Sequence, residues 1–355
     1  MKKMRVAVIG QGRSGRDIHG RYFLSSDNDN VEVVYVVDEL KERREKAKKE
    51  FNCEVLSDYT ELFGKKDIDL VVNSSYSQYH YPITKDLLQH GFNVLVEKPF
   101  GRTSFECMDL INTAKENNVT VVAFHQSLFA PSFKGIKDII KSGKLGEVFQ
   151  ISLTYSGFAR RWDWQTLQAC CAGSVFNSGP HPIGQALDFL DWDKNARVEF
   201  CDLRTILTSG DAEDYGKIII SAPNKPTVDI EICSADAYSD YVFKIYGSKG
   251  TLKATNESYE MKTINPDELP ARPVIRESLM NEDFGPSFCS EKLNFCEEKG
   301  DFAGSSFDSA VKEFYDMMYQ TIMNKKELLI TPEMASEVVR VVEICHALKP
   351  LPVKF

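Results

Sequence analysis

Apolar and polar positions follow two different rhythms along this chain. Up to about residue 125, short runs that are almost wholly apolar alternate with segments of helical spacing: 4–9 (MRVAVI), 31–37 (VEVVYVV), 69–74 (DLVVNS), 93–98 (NVLVEK) and 119–124 (VTVVAF). Runs of this kind are strands buried on both faces. The helical segments between them, near 13–25, 39–50, 80–90 and 103–117, predict a right-handed strand–helix–strand series and hence a doubly wound parallel sheet. The second half reads differently. Segments 148–157, 196–207, 216–222, 227–235 and 241–247 are long strand-like runs, several with apolar–polar alternation, joined by turn signals such as SAPNKP (221–226) and GSKG (247–250). Strands in succession without helices predict a mostly antiparallel, open sheet. One face of such a sheet needs covering, and self-association into a homo-oligomer is the simplest cover. The stretch 265–274, rich in proline and charge, predicts an extended loop, and 306–324 and 332–348 two closing helices. The expected architecture is an α/β domain over 1–125 and an α+β domain over 126–355, with helix 332–348 packing back on the first.

Composition narrows the function classes. Of 355 residues, 43% are hydrophobic and 27% charged, as in an ordinary globular protein. The net charge of −9 and the absence of a basic stretch argue against nucleic acid; the lysines and arginines of 41–49 are diluted by Glu39, Glu42 and Glu45. No apolar run approaches the roughly 18 residues of a membrane span. The N-terminal apolar stretch ends at Gly10 with no small-residue cleavage site after it. Nine cysteines without a C-x-x-C pair suit a reduced, cytoplasmic protein and offer no metal site.

The first chemistry-bearing motif is Gly10-Gln11-Gly12-Arg13-Ser14-Gly15, a G-x-G-x-x-G between a buried strand and a helix. In that setting the glycines make a tight turn, admit a pyrophosphate close to the backbone, and let helix and strand pack. Helix N-terminal N–H groups then face the phosphates. Asp38 ends the second strand, where a carboxylate accepts the ribose hydroxyls and repels a 2′-phosphate. Glu39 adds negative charge and Leu40 supplies no cation, so NAD is expected over NADP.

Glu97-Lys98-Pro99 closes another strand of the parallel sheet, on the edge where ligands bind in open α/β sheets. Together, GQGRSG, Asp38, EKP and a later glycine- and histidine-containing stretch resemble the Gfo/Idh/MocA oxidoreductase family. KSGKLGEV (141–148), FKIYGSKGTLK (243–253) and TPEMASEVVRVVEICHAL (331–348) extend the resemblance over nearly the whole chain. It implies an N-terminal Rossmann domain that binds NAD, with Gly10, Gly12, Arg13, Ser14, Gly15, Asp38, Ser75, His80, Glu97 and Lys98 as cofactor-binding residues. The family's second motif, D-x-G-x-H-x-x-D, reads here as Asn177, Gly179, His181 and Gly184. Asparagine replaces the first aspartate and glycine the second. An arginine common in the family near 126–131 is replaced by Ser127 and Leu128, and a proline of its cofactor loop by Tyr76.

The resemblance implies that His181 is the general base for a hydroxyl proton and that Lys98 polarises the substrate oxygen; a histidine's ordinary range suits that base. Asn177 cannot take a proton but can orient His181 or bind a hydroxyl. Two of the three tryptophans, Trp162 and Trp164, fall with Arg160 and Arg161 in RRWDW, where the family has residues near the nicotinamide. Indole faces stack on sugar rings and aryl groups, so Trp162, Trp164, Arg160 and Tyr155 are the candidate substrate contacts. The expected function is oxidation of a secondary hydroxyl of a sugar, glycoside (C3 of a glucoside included) or cyclitol, with hydride transfer to NAD and a small carbohydrate as the only partner beyond its own copies. Two alternatives stay open. One is an NAD-dependent glycosidase acting through transient C3 oxidation; the other is a non-catalytic sensor of NAD and sugar.

Overall fold

The computed structural model describes residues 2–355 and contains two sheets. The first is six parallel strands: β1 (Met4–Ile9), β2 (Val31–Val37), β3 (Glu54–Leu56), β4 (Leu70–Asn73), β5 (Val94–Val96) and β6 (Val121–Ala123). Their order is β3-β2-β1-β4-β5-β6, so the direction of winding reverses between β1 and β4. Alternate side chains feed opposite faces, as strand geometry requires. Val6, Val8, Val36, Val72, Leu95 and Val122 enter one apolar cluster, and Ala7, Ile9, Val37, Val71, Val94 and Val96 the other. That two-sided burial is why these strands read as unbroken apolar runs.

The helices between the strands are α1 (Arg21–Leu24), α2 (Lys41–Phe51), α3 (His80–Gln89) and α4 (Ser104–Glu116). One feature was invisible in the sequence: the helix after the glycine turn starts as a wide π-helical segment over Arg13–Gly20 before tightening into α1. Such segments are rare and cluster at functional sites.

The second sheet has eight strands: β7 (Val148–Ser156), β8 (Arg197–Arg204), β9 (Tyr215–Ser221), β10 (Thr227–Cys233), β11 (Phe243–Gly247), β12 (Gly250–Ala254), β13 (Ser258–Thr263) and β14 (Cys296–Asp301). They lie in the order β14-β13-β12-β11-β7-β10-β9-β8, antiparallel except for the β7–β10 pair. The inner face buries Ile151, Leu153, Ile218, Ile220, Val228, Ile230 and Ile232, while Ser152, Thr154, Lys217, Asp229 and Glu231 on the outer face stay half-exposed. Around it run α5 (Pro131–Lys141), α6 (Ser174–Asn177), α7 (Pro180–Phe189), α8 (Asp308–Asn324) and α9 (Pro332–Leu348). Between β13 and β14 the chain makes a long, exposed excursion that includes 265–274.

The two sheets are joined through α9. Its Ala335 and Val339 pack into an apolar cluster of the parallel sheet, and Val338, Val341 and Val342 into the one shared with the second sheet. Each fully buried valine contributes about 1.5–3 kcal/mol, so α9 holds firmly to both clusters. Among the described residues, no helix is long and apolar enough to cross a membrane.

Candidate active site

The glycine turn sits at the reversal between β1 and β4, the crevice in which doubly wound sheets bind ligands. Gly10 has φ +86°, and a Cβ there would lie 2.6 Å from the Ser74 carbonyl oxygen. A Cβ on Gly15 would lie 1.8 Å from Gly10 O and 2.6 Å from Ser74 Oγ. These two glycines let the turn close on the neighbouring strands. Gly12 is different: a Cβ there meets nothing within 4 Å, so it borders open space. The residues fit a dinucleotide, with Gly12 keeping the backbone approachable and the helix start at Arg13 supplying N–H donors. Arg13 also lies within electrostatic reach of Lys98.

Asp38 is buried, and both carboxylate oxygens are engaged. Oδ2 accepts from Gln11 N at 2.7 Å and Oδ1 from Leu40 N at 2.9 Å, which ties the glycine turn to the end of β2. Leu40 supplies no cation, but α2 brings two to Asp38. The first turn of α2 curls Arg43 Nη1 to 3.6 Å from Asp38 Oδ2, and Arg44 Nη1 donates to the Asp38 and Glu39 carbonyls at 2.7 and 2.9 Å.

Three of the anticipated cofactor residues serve the protein's own framework. Ser75 bonds Asn73 Oδ1 through its N and Oγ at 3.2 and 2.7 Å. His80 is buried, with ring nitrogens 2.8 Å from Pro99 O and 3.1 Å from Ser75 O, so it clamps the turns after β4 and β5 together. Glu97 points into the protein interior rather than the crevice. Its Oε2 accepts from Lys98 N at 3.0 Å, and Oε1 lies 3.2 Å from Nε2 of the fully buried His19, whose Nδ1 is 2.7 Å from the Tyr315 hydroxyl. Burial works to raise the Glu97 carboxyl, but the His19 contact and Lys98 overcome it and hold it at about 2.

Lys98 follows β5 and reaches across to α6. Its Nζ donates to Asn177 O at 2.8 Å and Asn177 Oδ1 at 3.0 Å. An ammonium only donates, so the amide oxygen of Asn177 must face it. The same oxygen accepts from Gln165 Nε2 at 3.3 Å, and Gln165 in turn accepts from Arg161. An ammonium has three N–H groups; these two contacts leave one for another acceptor. No carboxylate lies within ion-pair distance of Lys98 Nζ among the described residues. Burial pushes its ammonium below the usual range, opposed by Glu97 and assisted by Arg13 and Arg161.

His181 sits on the first turn of α7, which opens with Pro180. Its Nδ1 lies 3.1 Å from Ser127 Oγ, and the Tyr155 ring stacks parallel to it with centroids 6.4 Å apart. Burial, then Lys98 and His125, push the imidazole down to about 3, so it is neutral at physiological pH but well below the ordinary histidine range expected for the base. His125 is also buried, held down to about 4 by burial and Lys98, and packs against Gly184; a Cβ on Gly184 would lie 3.6 Å from its Nδ1.

The substrate-side candidates are dispersed. Trp164 meets Tyr76 edge-on with ring centroids 4.9 Å apart, bridging the second domain to the turn after β4. Trp162 is 79% exposed and projects outward, and Arg160 is exposed as well. Tyr155 donates its hydroxyl hydrogen to Gln185 Oε1 at 3.1 Å, so its ring and the acceptor side of the hydroxyl remain for other contacts. Arg161 bonds Asp163 at 2.6 Å as well as Gln165.

Sequence reasoning missed Gln165, Gln185 and His125 and treated Ser127 only as a lost arginine. Gln185 carried a usable signal, since it lies four positions after His181 and so on the same helix face. His125 and Ser127 reach the site together on the segment that follows β6, and Gln165 on the loop between β7 and α6.

Comparison with known proteins gives a consistent answer. Residues 4–125 match the family model of the GFO/IDH/MocA oxidoreductases with an NAD-binding Rossmann fold, and 133–253 match the GFO/IDH/MocA C-terminal domain. The uncharacterized oxidoreductase YdgJ of Escherichia coli (strain K12) is 26% identical over 79% of this chain and 77% of its own length. The scyllo-inositol 2-dehydrogenase (NADP(+)) IolW of Bacillus subtilis (strain 168) is 25% identical over 61% of each chain. The fold is shared with KijD10, a 3-ketoreductase from Actinomadura kijaniata solved with NADP and TDP-benzene, at a TM-score of 0.77 and 16% identity over 98% of each chain.

Proposed function

The chain belongs to the GFO/IDH/MocA oxidoreductase family, and we propose that it oxidises a secondary hydroxyl of a sugar, glycoside or cyclitol with NAD. The observation that carries this reading is Lys98 beside a neutral His181. The ammonium is anchored on Asn177 with one N–H to spare, at the crevice the glycine turn borders. A bound nicotinamide would supply the hydride acceptor. Lys98 would then donate to the substrate oxygen and stabilise alkoxide character as it develops. His181 Nε2, on the ring edge away from Ser127, would accept the hydroxyl proton. The scyllo-inositol specificity of IolW and the 3-ketoreductase activity of KijD10 are in keeping with a ring alcohol or ketone as substrate.

The test is nicotinamide absorbance on purified protein with NAD, across glucosides, free sugars and inositols. At least one class should yield NADH, and His181→Ala should slow it by about 10²–10⁴-fold, the usual worth of general acid–base catalysis. Glycoside cleavage without NADH would replace this reading with transient C3 oxidation and elimination. Binding of NAD and sugar without either reaction would leave a sensor.

NAD is the preferred cofactor in this reading, because the Asp38 carboxylate is fixed and buried where a 2′-phosphate would come. Arg43 moderates that preference. Arg43→Ala should weaken NADP binding by about tenfold, as loss of one partly exposed charge contact does, and leave NAD within about twofold. Titration of both dinucleotides checks this; equal losses would show that Arg43 serves the adenosine and not the phosphate.

A further inference from the structure

Resting on the dehydrogenase reading, the geometry around His181 poses a question of where the substrate's proton goes. An imidazole that accepts it at Nε2 while keeping Nδ1–H becomes a cation. Nothing near it is placed to hold that cation. Its Nδ1 partner is the hydroxyl of Ser127, not a carboxylate. The groups facing it are Lys98, a second buried histidine at 125, the Tyr155 ring and, more remotely, Glu97, which is turned towards His19. The family motif's second aspartate is here Gly184, whose surroundings are His125, Val338 and Leu128.

Ser127 has the properties to resolve this. It is only half-buried, so it keeps contact with solvent, and its Oγ has no hydrogen-bond partner other than His181 among the described residues. Its position is fixed by a network whose polarity is forced. The Ser127 carbonyl can only accept, so Gln185 turns Nε2 towards it at 3.3 Å; Gln185 Oε1 then faces Tyr155, whose hydroxyl must donate at 3.1 Å. Gln185 is itself 1% exposed. The amide therefore holds Ser127 at its backbone and leaves the hydroxyl free to rotate.

We propose that Ser127 is a proton-relay residue, taking the Nδ1 proton of His181 as Nε2 takes the substrate's. In the step, the substrate O–H breaks and Nε2–H forms; Nδ1–H breaks and a new Oγ–H forms; the proton Ser127 held passes to water. The two electrons would leave the substrate carbon as hydride, for which a bound dinucleotide would be the acceptor. His181 thus changes tautomer and stays neutral next to Lys98. Gln185 is the positioning residue that keeps Oγ within reach.

Three variants of the full-length protein test this: Ser127→Ala, Ser127→Thr and, to assign the signal, His181→Asn. Turnover is read with and without small buffers such as imidazole or formate, alongside histidine ¹⁵N spectra of the protein without substrate. Ser127→Ala should lose about 10- to 100-fold in kcat, within the range of a proton-transfer group. Buffer should recover much of that, and Ser127→Thr, which keeps a hydroxyl, should restore most of it. The His181 ring signals should show Nδ1–H in the wild type and shift in Ser127→Ala. An unchanged rate in Ser127→Ala, or a lost rate that buffer does not recover, overturns the relay; the second result would leave Ser127 as an orienting group only. If the wild type turns over no carbohydrate, the dehydrogenase reading has failed separately. The spectra then still decide the coupling, and His181 signals identical in wild type and Ser127→Ala overturn it.

Discussion

Substituting Lys98 by methionine should lower kcat by about 10²–10³-fold, the cost of one donor aimed at a developing alkoxide (about 2.7–4 kcal/mol). Dinucleotide affinity should fall far less than kcat, because Lys98 is one of several expected cofactor contacts and the turn at Gly10–Gly15 and Asp38 do not depend on it. Methionine keeps the length and packing of the side chain while removing the charge and all three donors. Two acceptors on Asn177 lose a partner, but Oδ1 keeps Gln165. Removing a buried ammonium relieves its desolvation, so thermal stability should stay close to wild type. The distinguishing sign is at His181. Lys98 is one of the groups pushing that imidazole down, after burial itself. Without the charge, the His181 titration should move upward, which histidine NMR reads directly. A Lys98→Met protein with wild-type kcat would remove the lysine from the chemistry. A lowered rate with an unmoved His181 would place the two groups in separate parts of the crevice.

How much of this was readable in the chain depends on what held each piece in place. The parallel strands were readable because burial on both faces makes them unbroken apolar runs. β3 was not, since Glu54–Leu56 is too short to show a rhythm, and neither was β14, whose sequence CEEKGD pairs with β13 through the backbone at the sheet edge. The π-helical start at Arg13 has no sequence marker. Lys98 and His181 were accessible through family resemblance because they lie in contiguous motifs. Gln165, from the loop before α6, joins Ser127 and His125, from the segment after β6, only after folding. Arg43 was read correctly as part of a charged helix face, but helix geometry returns that face to Asp38 within one turn, and linear spacing does not display that. Glu97 shows the converse: its motif was evident, yet its carboxylate belongs to a buried contact with His19 and so to the framework under Lys98.

The glycines of the turn separate stability from binding: Gly15→Ala should lose both, and Gly12→Ala binding alone. Gly15→Ala forces a methyl to 1.8 Å from Gly10 O and 2.6 Å from Ser74 Oγ, and the nearer atom is backbone that cannot rotate away. The helix or the turn must shift off β1 and β4. The expected cost is about 3 kcal/mol or more, at the upper end for overpacking, read as a lower denaturant midpoint and a lost dinucleotide site together. Gly12→Ala meets nothing within 4 Å, and Gly12 has φ −75°, which alanine adopts freely. Stability should therefore stay within about 0.5 kcal/mol of wild type. Its methyl would, however, project into the space where the backbone must admit a pyrophosphate. Dinucleotide affinity should fall at least about tenfold, the equivalent of losing one good contact of about 1.4 kcal/mol. Wild-type binding in Gly12→Ala would mean that the open space beside Gly12 is not where the phosphates lie. Wild-type stability in Gly15→Ala would mean that the turn relaxes without leaving the strands, and that helix and sheet are less tightly joined than their contacts imply.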